Sequence, residues 1–301
     1  MLGHFFRGMA MGAADVVPGV SGGTIALLTG IYERLINAIK SFGLDTLKVL
    51  KQQGIKAAWQ QFDGTFLAVL LAGMITSILG LAQVIHYLLN TFPVFIWSLF
   101  FGLVLASAVY VLLQVQWRTP PRLILLVLGI VFAAGISLMT PTPSQASPIL
   151  FFFSGAIAIS AMILPGISGS FILLLIGMYG LVISAVKQFD VGIMAVFALG
   201  CLVGIMLFSR FLSWLLARFH DATMVVLSGF MLGALVKLWP WREILSTRVN
   251  SQGQTVPVSE WPVAPWQVES PQVMAAVFAF FLGFVGVLYL AKRQKTAKIE
   301  Q

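Results

Sequence analysis

The sequence predicts an all-α polytopic membrane protein. It is built from two inverted-topology repeats, each a re-entrant helical hairpin plus three transmembrane helices. Three observations predict this. The 301 residues are 59% hydrophobic and only 9% charged, too little polar surface for a soluble domain. A helix-breaking motif, Pro18-Gly19-Val20-Ser21-Gly22-Gly23-Thr24, returns as Pro165-Gly166-Ile167-Ser168-Gly169-Ser170-Phe171. Basic residues gather in short stretches between apolar segments, as cytoplasmic loops do.

The first repeat covers residues 1–140: a hairpin over 5–40, a cytoplasmic connector over 41–64, and three spans near 65–89, 94–116 and 122–139. The second covers 141–301: a hairpin over 148–187, spans near 192–217, 222–239 and 272–291, and a basic tail with Lys292, Arg293, Lys295 and Lys298. Each span is close to the ~20 residues that cross hydrocarbon. Sliding the chain by 147 positions aligns residues 14–42 with 161–189, and 14 of these 29 positions are identical. Beyond the hairpins the offset falls to 127, pairing Gly73 with Gly200 and Gly102 with Gly229. The difference is an insert near residues 44–63, read either as a segment on the lipid surface or as a plain linker.

Charge placement decides between re-entrant and spanning hairpins. If residues 5–40 crossed once, Arg7 and the connector lysines (Lys40, Lys48, Lys51, Lys56) would lie on opposite sides. If they dip in and return, these groups share the cytoplasm with Arg118, Arg122, Arg218 and the tail, and both termini are cytoplasmic. Three spans per repeat is an odd number, so the second hairpin enters from the opposite face. A duplicated break inside apolar sequence is a mark of transporters.

The motif suits an anion. Proline disfavours helix at the residue before it, so Val17 and Leu164 should end the incoming half-helices. Ser21 and Ser168 are good N-caps for the outgoing ones. Each tip then presents free N–H groups and hydroxyls, from Ser21, Gly22, Gly23 and Thr24 and from Ser168, Gly169 and Ser170. Irregular backbone at membrane depth survives only if buried in protein or lining a cavity, so two tips that meet satisfy each other. Close helix packing through Gly and Ser is the competing explanation.

Few charges lie near the tips. Asp15 is the only acid there, and its repeat counterpart is Met162. It serves either as a proton carrier that couples transport or as a cap for backbone donors. Arg210, inside the fourth span, either forks onto a phosphate or snorkels to the interface. Glu33 and Arg34 are candidates for gating or for a local ion pair.

Other classes fit poorly. The net charge of +8 follows membrane topology, so no nucleic acid is expected. Cys201, the one cysteine, is expected to fill space. No cleavable signal peptide, metal-ligand spacing or cofactor motif is evident.

Gly12-Ala13-Ala14-Asp15-Val16-Val17-Pro18-Gly19-Val20-Ser21-Gly22-Gly23-Thr24, Gly30-Ile31-Tyr32-Glu33 and Leu164-Pro165-Gly166-Ile167-Ser168-Gly169-Ser170 resemble the polyprenyl-phosphate transporter (PopT) family. The resemblance covers nearly the whole chain. It implies a multi-pass protein of the bacterial cytoplasmic membrane that returns undecaprenyl phosphate from the outer to the inner leaflet; two related halves would do this by rocking to expose the site alternately. The implied partners are the polyprenyl phosphate lipid and the bilayer, with a homo-oligomer left open. From the residues alone, a carrier or channel for a small soluble anion is the alternative. An intramembrane enzyme is disfavoured because the three histidines, His4, His86 and His220, form no clustered His/Asp/Arg set of the kind such chemistry uses.

Overall fold

The computed structural model describes residues 1–17, 20–141, 144–249 and 255–299. Pro18 and Gly19 of the first motif lie outside the described residues. The chain is a multi-pass helical membrane protein. Helix α1 (Leu2–Val16) stops because Val17 is extended (φ −89°, ψ 121°), as a residue before proline should be. Helix α8 (Pro148–Ile163) stops for the same reason at Leu164 (φ −71°, ψ 128°).

Past each break comes a seven-residue helix, α2 (Gly22–Leu28) or α9 (Gly169–Leu175). Each is about 10 Å long. A turn follows at Gly30 (φ 68°) or Gly177 (φ 70°), a left-handed conformation that glycine adopts without strain. The chain then continues into α3 (Tyr32–Ser41) or α10 (Tyr179–Lys187). The bend between α9 and α10 is 106°.

Among the described residues, six helices are long and apolar enough to cross a membrane: α5 (Gly64–Thr91), α6 (Pro93–Leu112), α7 (Pro120–Leu138), α11 (Val191–Arg218), α12 (His220–Leu238) and residues Val273–Lys292 of α13 (Val273–Ile299). Five match the expected spans closely, and α6 ends four residues before the expected 116, where Gln114 and Gln116 introduce polar side chains. The insert forms its own helix, α4 (Leu44–Gln61), with Gly54 left-handed inside it and Ile55 and Trp59 exposed. Between α12 and α13 the chain holds an antiparallel hairpin of β1 (Arg242–Val249) and β2 (Thr255–Pro262).

Glycine contacts set the helix pairs. A Cβ on Gly73 would come within 2.1 Å of the Phe5 carbonyl oxygen, and one on Gly200 within 2.0 Å of that of Phe152. These are equivalent positions under the offsets of 147 and 127. Hence α1 lies on α5 as α8 lies on α11, with bare glycines letting the backbones touch. Gly8 against Leu70 and Gly12 against Met74 show that α1 and α5 run the same way. Helix α6 runs with α13, since Val94 clusters with Ala276, Gly102 meets Phe280 and Ala106 clusters with Val287. Helix α7 runs with α12, through Leu126–Gly229 and Ile130–Gly233.

Both broken segments return to where they began. Arg34 in α3 lies 3.2 Å from His4 at the start of α1, and 2.6 Å from Asp63 at the start of α5. In the second, Ser144 before α8 donates a hydrogen bond to the Ile176 carbonyl after α9.

Candidate functional site

The last carbonyls of a helix have no partner inside it, and in an apolar interior that is costly. At the end of α8, hydroxyls of the first tip cover them. Ser21 Oγ shares its proton between the carbonyls of Met162 (3.3 Å) and Leu164 (3.2 Å). The Tyr32 hydroxyl donates to the Ile163 carbonyl at 3.1 Å. One residue past Pro165, the Gly166 amide donates to Thr24 Oγ1 at 3.0 Å. Ser21, Thr24 and Tyr32 are all fully buried. The two breaks therefore do meet, clasped from the first onto the second. Gly23 permits the approach, because a Cβ there would lie 2.6 Å from the Ile163 carbonyl oxygen.

The clasp is one-sided. Ser21 caps α2 as expected, accepting from the Gly23 amide at 3.1 Å. Ser168 stands at the equivalent N-cap of α9 but makes no cap bond; it pairs with Ser170 Oγ at 2.9 Å. Tyr179, the counterpart of Tyr32, is 38% exposed rather than buried. In the first tip Gly22, Gly23 and Thr24 are buried, whereas in the second Gly169 is buried and Ser170 exposed.

Asp15 holds the start of α2. Its Oδ1 accepts from the Gly22 amide at 2.7 Å, the one hydrogen bond it makes among the described residues. The amide that would meet an anion is thus already on a carboxylate. Asp15, Gly22 and Gly23 line a cavity of about 440 Å³. Its remaining walls are apolar, including Leu35, Ile39, Met74, Met162 and Ile205. Two wall residues, Leu71 on α5 and Leu202 on α11, are 52% and 59% exposed, so the cavity borders the lipid-facing flank. A smaller cavity of about 220 Å³ is lined by Val182, Val186, Phe197 and Ala198. Those are the repeat counterparts of Leu35, Ile39, Leu70 and Leu71, which line the larger one.

Arg210 is not brought to the tips. Its Nη1 donates to the Met206 carbonyl (2.7 Å) and its Nη2 to the Phe42 carbonyl (3.0 Å), at the end of α3. Met206 and Phe42 both line the larger cavity, so the guanidinium stands at its border. Next to it Lys40 Nζ donates to Ser213 Oγ (3.1 Å), which donates to Asn37 Oδ1 (2.9 Å).

Glu33 and Arg34 do not form the local pair considered from sequence, because adjacent helical side chains point apart. Glu33 meets His220 Nε2 at 3.0 Å, and Arg34 meets Asp63. Arg122 joins Asp221 at 3.1 Å, so one end of the molecule carries a belt of ion pairs.

Sequence reasoning passed over a second charged group at the opposite end of α12. Glu260 Oε2 accepts from both Lys237 Nζ (3.1 Å) and Arg242 Nη1 (2.9 Å). Burial pushes the Glu260 carboxyl up, but the charges of Arg242 and Lys237 outweigh it and hold the group below its ordinary value. A lysine in the last turn of an apolar span was the available signal. Tyr32 was also missed as a site residue, though a buried phenol beside a repeated glycine invites a search for its acceptor.

A family model described as undecaprenyl phosphate translocase-like matches residues 11–256. The chain is 50% identical over 269 residues to a polyprenyl-phosphate transporter of Vibrio cholerae, covering 89% of this chain and 87% of that protein. It is 32% identical over 255 residues to a polyprenyl-phosphate transporter of Staphylococcus aureus, covering 79% and 86%. No solved structure matches.

Proposed function

Because the chain belongs to the undecaprenyl phosphate translocase-like family, we propose that it carries a polyprenyl phosphate, undecaprenyl phosphate in the first place, across the bacterial cytoplasmic membrane. The observation that carries this reading is the larger cavity. It is apolar, borders the lipid-facing flank between α5 and α11, and has one carboxylate beside a helix start in its lining. Such a shape accepts an isoprenoid tail along its walls while the phosphate works at polar groups. The apolar lining also disfavours a small soluble anion, which needs a wet path.

The roles follow. Arg210, at the cavity border, draws the head group in. Asp15 and the substrate phosphate compete for the Gly22 amide, so a proton taken up by Asp15 clears the place for the phosphate. Ser168, Gly169 and Ser170 supply further donors, and Ser168 and Ser170 are free of the clasp. Ser21, Gly23 and Thr24 hold the two tips together. The Glu33–His220 and Arg34–Asp63 pairs bind α3 to its neighbours and act as a gate.

Inverted repeats and alternating access are part of the proposal. Successive spans alternate in direction. Helix α6, second span of its half, runs with α13, third span of the other, which supports reading one half as upside down. With the ion-pair belt cytoplasmic, movement from outer to inner leaflet returns the spent carrier.

The test is reconstitution in proteoliposomes, offering labelled polyprenyl phosphate, inorganic phosphate and small carboxylates side by side. Movement of the polyprenyl phosphate alone is expected. Movement of the small anions without the lipid would overturn the reading.

A further inference from the structure

The end of the molecule that carries the β-hairpin holds charges that the tips and the large cavity do not use. The antiparallel register places Arg242 opposite Pro262 and Ile244 opposite Glu260, so Arg242 and Glu260 project from the same face of the hairpin while Glu243 faces the other way. Lys237, in the last turn of α12, reaches the same carboxylate. Both cations meet a single oxygen atom, Glu260 Oε2. The side chains are largely covered, at 9% exposure for Arg242, 20% for Lys237 and 18% for Glu260.

Among the described residues, two positive charges here share one negative charge. A half-buried group with an unbalanced charge is costly, and a further anion relieves it. The surroundings fit a particular anion. Lys237 Nζ lies 5.1 Å from the centroid of the Phe171 ring, next in sequence to Ser170, which is exposed and paired with Ser168. The Arg242 guanidinium carbon lies 4.0 Å from the centroid of the Trp97 ring, a contact that helps hold its fork of donors in place. Two cations and an aromatic rim of Phe171 and Trp97 suit a phosphate monoester, whose two charges exceed what one carboxylate supplies.

We propose that Lys237 and Arg242, with the Phe171 ring beside Lys237, form a second phosphate-monoester site on the hairpin face, in which Glu260 is a placeholder that the incoming phosphate displaces. The site is the point of capture from which the head group moves to Ser168 and Ser170 at the second tip. The inference rests on the transport reading above, and names where its substrate first binds. It also gives the hairpin a role, because β2 carries the placeholder and β1 one of the cations.

The placeholder makes a prediction of unusual sign. Glu260→Gln frees both cations, so polyprenyl phosphate offered on the hairpin face should bind more tightly and its KM should fall severalfold. A triad that merely pins the hairpin to α12 would, on losing Glu260, loosen and raise KM or leave it unchanged. Lys237→Gln should raise KM about tenfold, the worth of one charge-assisted hydrogen bond, with the maximal rate largely retained. Lys237→Arg should recover most of that loss. Inorganic phosphate added on the hairpin side should compete with the lipid if the head group alone is recognised. Without such competition, the lipid-borne phosphate is the ligand and the site stands only if the KM shifts are present. Unfolding temperatures of all variants in detergent separate a folding defect from a binding one. If wild-type protein moves no polyprenyl phosphate, the transport reading itself fails. If it does, and KM is unmoved in both Lys237→Gln and Glu260→Gln, this inference alone fails.

Discussion

The Tyr32 hydroxyl donates to the Ile163 carbonyl across 3.1 Å, joining residues 131 apart in sequence at the two breaks of the chain. One half of the protein thereby satisfies the helix end that the proline of the other half leaves open. Tyr32→Phe keeps the ring and removes only the donor. The unsatisfied buried carbonyl should cost about 1–3 kcal/mol. Thermal unfolding in detergent should show it, and Tyr179→Phe, at an exposed counterpart, should change stability little.

Gly23→Ala should be far more damaging than its single methyl suggests. The Cβ would lie 2.6 Å from the Ile163 carbonyl oxygen, a backbone atom that moves only if the clasp opens. Overpacking of this kind costs about 1–3 kcal/mol, and transport should fall with it. Gly80→Ala is the control: nothing lies within 4 Å of its Cβ, and alanine in a helix interior should add about 1 kcal/mol of stability. Equal behaviour of the two variants would remove the close approach as an explanation.

Asp15→Asn separates charge from shape. The amide oxygen can still accept from Gly22, so the start of α2 stays capped and the folded yield should hold. Net transport should fall at least tenfold, because the side chain no longer exchanges a proton. A wild-type rate in this variant would leave Asp15 as a cap alone.

Glu260 sets a dependence on acidity at the hairpin. Its carboxyl titrates below the ordinary value because Arg242 and Lys237 overcome the effect of burial. The link therefore contributes in full above about pH 4.3, the ordinary glutamate value, and fades as the pH falls through the lower folded value. Unfolding followed by tryptophan emission should show this loss in the wild type, since Arg242 rests on Trp97. Glu260→Gln should lack the acid-dependent part.

The Glu33–His220 pair should matter little to stability. Its side chains are 47–55% exposed, and such pairs contribute about 0–1 kcal/mol. Glu33→Gln should leave the unfolding temperature nearly unchanged while altering the transport rate. A large drop in stability would make the pair structural rather than a gate.

The sequence by itself determined the class, the six spans and the places where the helices break. Those rest on local rules: apolar length, the ban on helix before Pro18 and Pro165, and the turns that Gly30 and Gly177 allow. It also showed the repeat, since equivalent glycines keep equivalent close contacts at Gly73 and Gly200. Only the tertiary structure decided who partners whom. The hydroxyls of Ser21, Thr24 and Tyr32 turned to the other half's backbone, and Asp15 took the amide at the head of α2. Glu33 and Arg34 parted to His220 and Asp63, and Lys237 found Glu260 across a hairpin whose strands the sequence reading did not single out. The reason is physical. A helix break is a property of a few adjacent residues, but a hydrogen-bond partner 130 or more positions away is chosen by packing, which no local pattern encodes.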